Sequence, residues 1–198
     1  MTLPSDPEAK GDPVMDPEAD EPENGSPAYP LRLLTLVVVA AAVWGIDLKT
    51  KMLAVDHLEW QPPWRVLDGL VYLQLVRNPG AAFGMATGMT WLLTLIALGV
   101  VVAIIRLSGR LRSRAWAVAL GLVLGGALGN LSDRLFRYPG IFRGWVVDMI
   151  SVFAPDGQKW PVFNAADSAI CTGGALLVVL ALIGLELDGT RASRGDDE

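Results

Sequence analysis

The stretch Trp116-Ala-Val-Ala-Leu-Gly-Leu-Val-Leu-Gly-Gly-Ala-Leu-Gly-Asn-Leu-Ser-Asp-Arg-Leu135 decides how this chain folds. As a helix it is long enough to cross a hydrocarbon core of roughly 30 Å, for which about 20 apolar residues are needed. Gly121, Gly125 and Gly129 recur every fourth residue, the small-x-x-x-small spacing at which membrane helices approach closely. The run ends in polar residues. Asn130, Asp133 and Arg134 stand at i, i+3 and i+4 and share one helical face. That pattern fits a helix end held by an internal salt bridge as well as it fits a functional cluster at a membrane face.

Three more apolar runs lie around it. Leu31–Ile46 reaches spanning length with the residues that follow, Met89–Leu107 forms a second span, and Asn164 to about Leu187 a fourth. The chain is 52% hydrophobic with a mean hydropathy of +0.41, which sets it among membrane proteins before any motif is read. The fold class expected is an all-α membrane protein: four transmembrane helices with a small β-rich extracytoplasmic loop region. Residues 54–88 do not span, because Pro62 and Pro63 break helix and Asp56, Glu59, Arg65, Asp68 and Arg77 are too many charges for lipid. Within them Val66–Val76 is rich in β-formers and predicts a strand or hairpin at the surface. Residues 136–163 read as a second long loop.

Arg106, Arg110, Arg112 and Arg114 crowd the short connection between spans two and three, the mark of a cytoplasmic loop. Counting crossings from there puts both termini in the cytoplasm. It gathers positions 47–51, 78–84, 130–134, 148 and 164–167 at the outer face. The net charge of −5 hides an asymmetry: residues 1–30 hold eight acids against Lys10 alone, so the remainder is mildly basic. Residues 1–30 are therefore expected to be a disordered acidic cytoplasmic tail, 31–187 a four-helix membrane domain, and 188–198 a cytoplasmic C-terminal tail. A single Cys171 and a single His57 exclude a disulfide framework and a Cys- or His-based metal centre. Burial in an apolar helix also makes Cys171 a poor nucleophile.

The chemistry centres on Gly144–Asp167. Asp148 sits in Gly-Trp-Val-Val-Asp-Met-Ile and Asp167 in Pro-Val-Phe-Asn-Ala-Ala-Asp, each among apolar residues. A carboxylate there is costly unless it is paired, hydrogen-bonded or protonated. Two such groups brought together share protons, the arrangement of an aspartyl protease. Asp47 and Lys51, four residues apart, share a helical face, and Asn78-Pro-Gly80 is turn chemistry whose small residues let backbone approach a ligand. Plainer readings stand beside each. Asn164 and Asp167 suit an N-cap with an acid in the first turn, Asp148 suits pairing with Arg143 or Lys159, and Asp47–Lys51 suits an interfacial ion pair.

Taken together, Asp47-Leu-Lys-Thr-Lys51, Asn78-Pro-Gly-Ala-Ala-Phe-Gly84, Gly129-Asn-Leu-Ser-Asp-Arg134, Val146-Val-Asp148 and Phe163-Asn-Ala-Ala-Asp167 resemble the lipoprotein signal peptidases, the type II signal peptidases of bacteria. The resemblance covers about residues 31–187. It implies a four-span aspartyl protease of the plasma membrane that removes the signal peptide of prolipoproteins, cutting before the diacylglyceryl-modified cysteine. It implies Asp148 and Asp167 as the catalytic pair, Asn78, Gly80, Asn130, Arg134 and Asn164 in the substrate site, and Asp47, Lys51 and Asp133 in support. A prolipoprotein and membrane lipid are the partners expected, with no cofactor, metal, nucleic acid or obligate protein partner. Pro79 removes a backbone donor inside the second motif. The residues alone also admit a Ser/Lys protease using Ser132 or Ser168 with Lys51, and a four-span lipid-binding protein whose acids are structural ion pairs. A presenilin-type protease would carry Gly-x-Gly-Asp, which is absent.

Overall fold

The computed structural model describes residues 28–80 and 89–191. The acidic segment up to residue 27, Ala81–Gly84 of the second motif and residues 192–198 lie outside the described residues. Among the described residues, four helices are long and apolar enough to cross a membrane: α1 (Ala28–Leu58), α2 (Thr90–Ser108), α3 (Arg114–Phe136) and α4 (Ala165–Leu182). Three strands, β1 (Trp64–Val66), β2 (Val71–Asn78) and β3 (Val146–Val152), form one antiparallel sheet in that order.

α3 is the central helix. Its apolar window is 61% buried, against 17%, 17% and 22% for α1, α2 and α4, so those three turn most of their surface outward. The glycine stripe explains the position. A Cβ on Gly121 or Gly125 would stand 2.9 Å from Leu36 O or 2.6 Å from Ala40 O of α1, and one on Gly126 would stand 2.5 Å from Ala166 O of α4. Only glycine lets both neighbours come this near, as the four-residue spacing predicts.

α1 is longer than its apolar run. Asp47 and Lys51 are both fully buried and pair at 2.7 Å, so the charges that would end a span are neutralised inside the bundle and the helix continues to Leu58. Its last turns are amphipathic in effect. Ala54 and Leu58 pack on Val147 and Met149 of β3 and so carry the sheet.

The strand region is larger than the hairpin expected over Val66–Val76. β3 lies in the stretch read as a loop, and it pairs with β2 some 70 positions earlier. A β-bulge interrupts that pairing. Leu73 stands opposite Ile150 and Val76 opposite Asp148, so β2 advances three residues while β3 advances two. After Pro155–Gly157 the chain returns beside β3: Phe163 and Ile150 exchange both backbone hydrogen bonds at 2.9 Å, which delivers Asn164 to the start of α4 next to Asp148. α4 ends at Leu182, short of the predicted Leu187. Gly184 at φ +70° turns the chain, and Leu187 O then accepts from the Arg112 and Ser113 amides of the α2–α3 connection.

Candidate active site

Asp148 and Asp167 line one cavity of about 310 Å³, together with Asn78, Gly80, Asn130 and Arg134. Asp148 comes from β3 and is 2% exposed. Its register opposite Val76 sets Asn78 diagonally across on the same face of the sheet. Asn78 Nδ2 donates to Asp148 Oδ2 at 2.9 Å and Asn164 Nδ2 to Asp148 Oδ1 at 2.7 Å. Neither Arg143 nor Lys159 is the donor.

Asp167 occupies the first turn of α4, where helix N–H groups favour a carboxylate. Asn164 caps that helix with a full capping box. Asn164 Oδ1 accepts from the Asp167 amide at 2.9 Å, and Asp167 Oδ2 accepts from the Asn164 amide at 3.2 Å. The remaining oxygen, Oδ1, accepts from Asn130 Nδ2 at 2.8 Å. The N-cap reading of Asn164–Asp167 therefore holds, and the same residues also face the second acid. Asn164, fully buried, touches both acids and is the hinge of the arrangement.

Burial holds the Asp148 carboxyl up to about 7, and the charge of Asp167 adds to the rise. The hydrogen bonds from Asn78 and Asn164 and the Lys51 charge pull the other way and lose. A carboxyl so raised, beside a second carboxyl, has the chemistry of one half of an acid–base pair.

Behind the pair lies an ionic cluster. Lys51 Nζ stands 2.7 Å from Asp47 Oδ2, 2.9 Å from Asp133 Oδ2 and 3.1 Å from Asn130 Oδ1. Asp47 Oδ1 also accepts the Ala166 amide of α4 at 2.9 Å, and Asp133 Oδ2 the Val147 amide of β3 at 3.1 Å. Asp133 pairs with Arg137 as well, not with Arg134 as an internal helix-end bridge would require. Arg134 instead donates to Asn130 O and points its guanidinium along the cavity wall. At the mouth, Gly80 N donates to Asn78 Oδ1 at 2.9 Å, and Pro79 O accepts from Thr90 Oγ1.

The family model described as signal peptidase (SPase) II matches residues 39–183. The lipoprotein signal peptidase of Rhodococcus jostii (strain RHA1) is 57% identical over 176 residues, which cover 87% of this chain and 86% of that one. The chain belongs to the signal peptidase II family. The lipoprotein signal peptidase of Mycobacterium tuberculosis (strain ATCC 25618 / H37Rv) is 47% identical over 190 residues, covering 94% of this chain and 91% of that one. Among solved structures, a bacterial membrane enzyme determined by the in meso method superposes with a TM-score of 0.65 at 25% identity, covering 83% of this chain and 94% of its own. As a signal peptidase II the protein is an aspartic-type, multi-pass membrane peptidase that removes signal peptides from prolipoproteins.

The Ser/Lys alternative has no geometry in this signal peptidase. Ser132 Oγ accepts from Trp44 Nε1 and donates to Leu128 O, and Ser168 Oγ donates to Asn164 O. Lys51 is held by two carboxylates instead of a hydroxyl.

Sequence reasoning missed the apolar wall of the cavity: Trp160–Phe163, Ile170 and Cys171. The signal was present for Cys171, which is four residues after Asp167 and hence on the same helical face. Cys171, expected to be buried in its apolar helix, is instead an exposed thiol on the cavity wall. Alkylating it with a maleimide should lower cleavage by more than about tenfold, because the adduct fills the space beside Asp167 and misplaces the substrate. Cys171→Ser should keep its activity and become indifferent to the reagent, read in the same cleavage assay.

Proposed function

We propose that Asp148 and Asp167 are the catalytic pair of this peptidase and that they hydrolyse the bond before the diacylglyceryl-modified cysteine of a prolipoprotein. The observation that carries the reading is Asn164, which donates to Asp148 through its side chain and to Asp167 Oδ2 through its backbone amide, beside one cavity that both acids line. In the resting enzyme the proton shared by the pair rests on Asp148, the more deeply buried acid, and Asp167 is the base.

Asp167 takes a proton from water as the hydroxyl adds to the scissile carbonyl, and Asp148 gives its proton to the carbonyl oxygen. The tetrahedral diol then collapses. Asp167 passes its proton to the leaving cysteine nitrogen as the C–N bond breaks, and Asp148 takes one from a diol hydroxyl whose oxygen becomes the new carbonyl, which restores the starting protonation of the pair. Asn78, Asn130 and Asn164 hold the carboxyls in place through their amide donors. Arg134, Gly80 and Asn78 line the path of the peptide.

The four arginines of the Arg106–Arg114 connection support a topology with both termini cytoplasmic and the pair at the outer face. The lipid arms of the substrate then lie in the outer leaflet beside the helices. No further protein is required in this scheme.

The test is cleavage of a diacylglyceryl-modified prolipoprotein by the purified protein, with the new N-terminus identified by mass spectrometry. Release of a mature chain beginning at the modified cysteine is expected. Cleavage at another bond, or equal cleavage of the unmodified precursor, overturns the assignment.

The same assay reads the pH dependence. The Asp148 carboxyl, raised to about 7, is the required acid below that pH and is lost above it. kcat/KM should therefore fall as pH rises through about 7, approaching a tenfold loss per unit beyond it. A profile flat to pH 9 would remove Asp148 from the role of acid.

A further inference from the structure

We infer that Lys51 is a positioning residue for the reaction: its ammonium fixes the orientation of the Asn130 amide and thereby keeps a hydrogen-bond donor on Asp167. The inference rests on Asp148 and Asp167 being the catalytic pair.

An ammonium has three donors and no acceptor. Those of Lys51 are directed at Asp47 Oδ2 at 2.7 Å, Asp133 Oδ2 at 2.9 Å and Asn130 Oδ1 at 3.1 Å, and the side chain is fully buried. Turning the Asn130 amide over would press its NH2 group against this cation. Asn164 Nδ2, which also donates to Asn130 Oδ1 at 3.2 Å, opposes the same turn. One orientation is left. In it Nδ2 points at Asp167 Oδ1, 2.8 Å away.

The direction of every bond in the series Asp47–Lys51–Asn130–Asp167 thus follows from a charge on α1 that never reaches the cavity. A reversed amide would offer Asp167 an oxygen instead of a donor, which repels a carboxylate where the base must stand. The charged and titratable groups around Asp167 are Asp47 and Lys51 from α1, Asp133 and Arg134 from α3, Asp148 from β3 and Cys171 from α4. Of these, Asp148 is coupled to it through Asn164, and Lys51 through the Asn130 side-chain amide.

The experiment is a mutant cycle in purified enzyme, with kcat, KM and thermal unfolding measured together. Lys51→Met is made with Asp47→Asn, so one cation and one anion leave the buried cluster together. Asn130→Ala removes the amide. Each is expected to lower kcat by about tenfold to a hundredfold with KM within about twofold of wild type. Combined, they should lower kcat no further than the worse of the two, since both break one path. Lys51→Gln in the Asp47→Asn background keeps a neutral donor and should recover kcat to within about threefold of wild type. This variant also supplies the reading if the methionine variant does not fold.

The inference is overturned if the folded methionine variant keeps wild-type kcat, if its loss multiplies in full with that of Asn130→Ala, or if glutamine is no better than methionine. Failure of the catalytic assignment looks different: Asp148→Asn or Asp167→Asn would then remain active whatever the Lys51 cycle gave.

Discussion

Asp148→Asn and Asp167→Asn are each expected to lose about 10³-fold or more in kcat while remaining folded, because on the proposed assignment each removes one half of a proton-transfer pair. The substitutions are nearly isosteric, so the cavity keeps its shape. An asparagine at 148 still accepts from Asn164 Nδ2 through its oxygen, the bond now at 2.7 Å. It cannot pass a proton to the substrate carbonyl. An asparagine at 167 keeps an oxygen for one of the two donors that now reach separate carboxylate oxygens, Asn130 Nδ2 and the Asn164 amide, and α4 keeps the Asn164 side chain as its cap. It cannot deprotonate water. The two losses should not multiply in the double variant, since either one alone breaks the pair. Thermal unfolding within a few degrees of wild type is the control. A folded variant with near-wild-type activity would move the assignment to Asp133 or Asp47.

Gly129→Val is the second large effect, and it acts on folding. A Cβ at this position would overlap the Asp47 carboxylate and stand 3.2 Å from the Ala166 side chain. Asp47 cannot step aside. Its two oxygens are committed to Lys51 and to the Ala166 amide, at 2.7 and 2.9 Å. Forcing it away leaves a buried ammonium short of a partner, and breaking a buried pair costs about 3–5 kcal/mol. The overpacking itself adds roughly 1–3 kcal/mol. Together these are a large share of the marginal stability of a domain, so the variant should be recovered largely unfolded or degraded, and any residue in detergent should unfold at markedly lower temperature. Gly99→Val, on the outward face of α2 with open space around its Cβ position, should behave as wild type and serves as the comparison.

The spans were legible because their signal is local. Twenty apolar residues announce themselves whatever surrounds them, and the Gly121–Gly129 spacing carried the packing of α3 as well. β3 was not legible for the opposite reason. Val146–Val152 is an apolar run broken by an acid, and its partner strand lies far upstream, so nothing nearby marks it as a strand. The length of α1 was hidden by Asp47 and Lys51, which look like an end until their partners Asp133 and Asn130 are known. The candidate acids were visible as costly residues in apolar company, but their pairing through Asn164 depends on the Ile150–Phe163 bridge, a contact that no spacing rule foretells.

The bulge in β2 has a consequence for Asp148. If the same residues paired regularly onward from Leu73, with no bulge, Leu75 would stand opposite Asp148 and Arg77 would take the diagonal position now held by Asn78. A guanidinium there would favour the ionised form of the carboxyl, opposite to the rise that its present surroundings impose. Arg77 is instead turned to the other face, 2.5 Å from Glu59. The choice between an amide and a cation beside Asp148 is thus made by one residue held out of the pairing: the bulge, and not the composition of β2, decides which of two adjacent side chains the carboxyl meets.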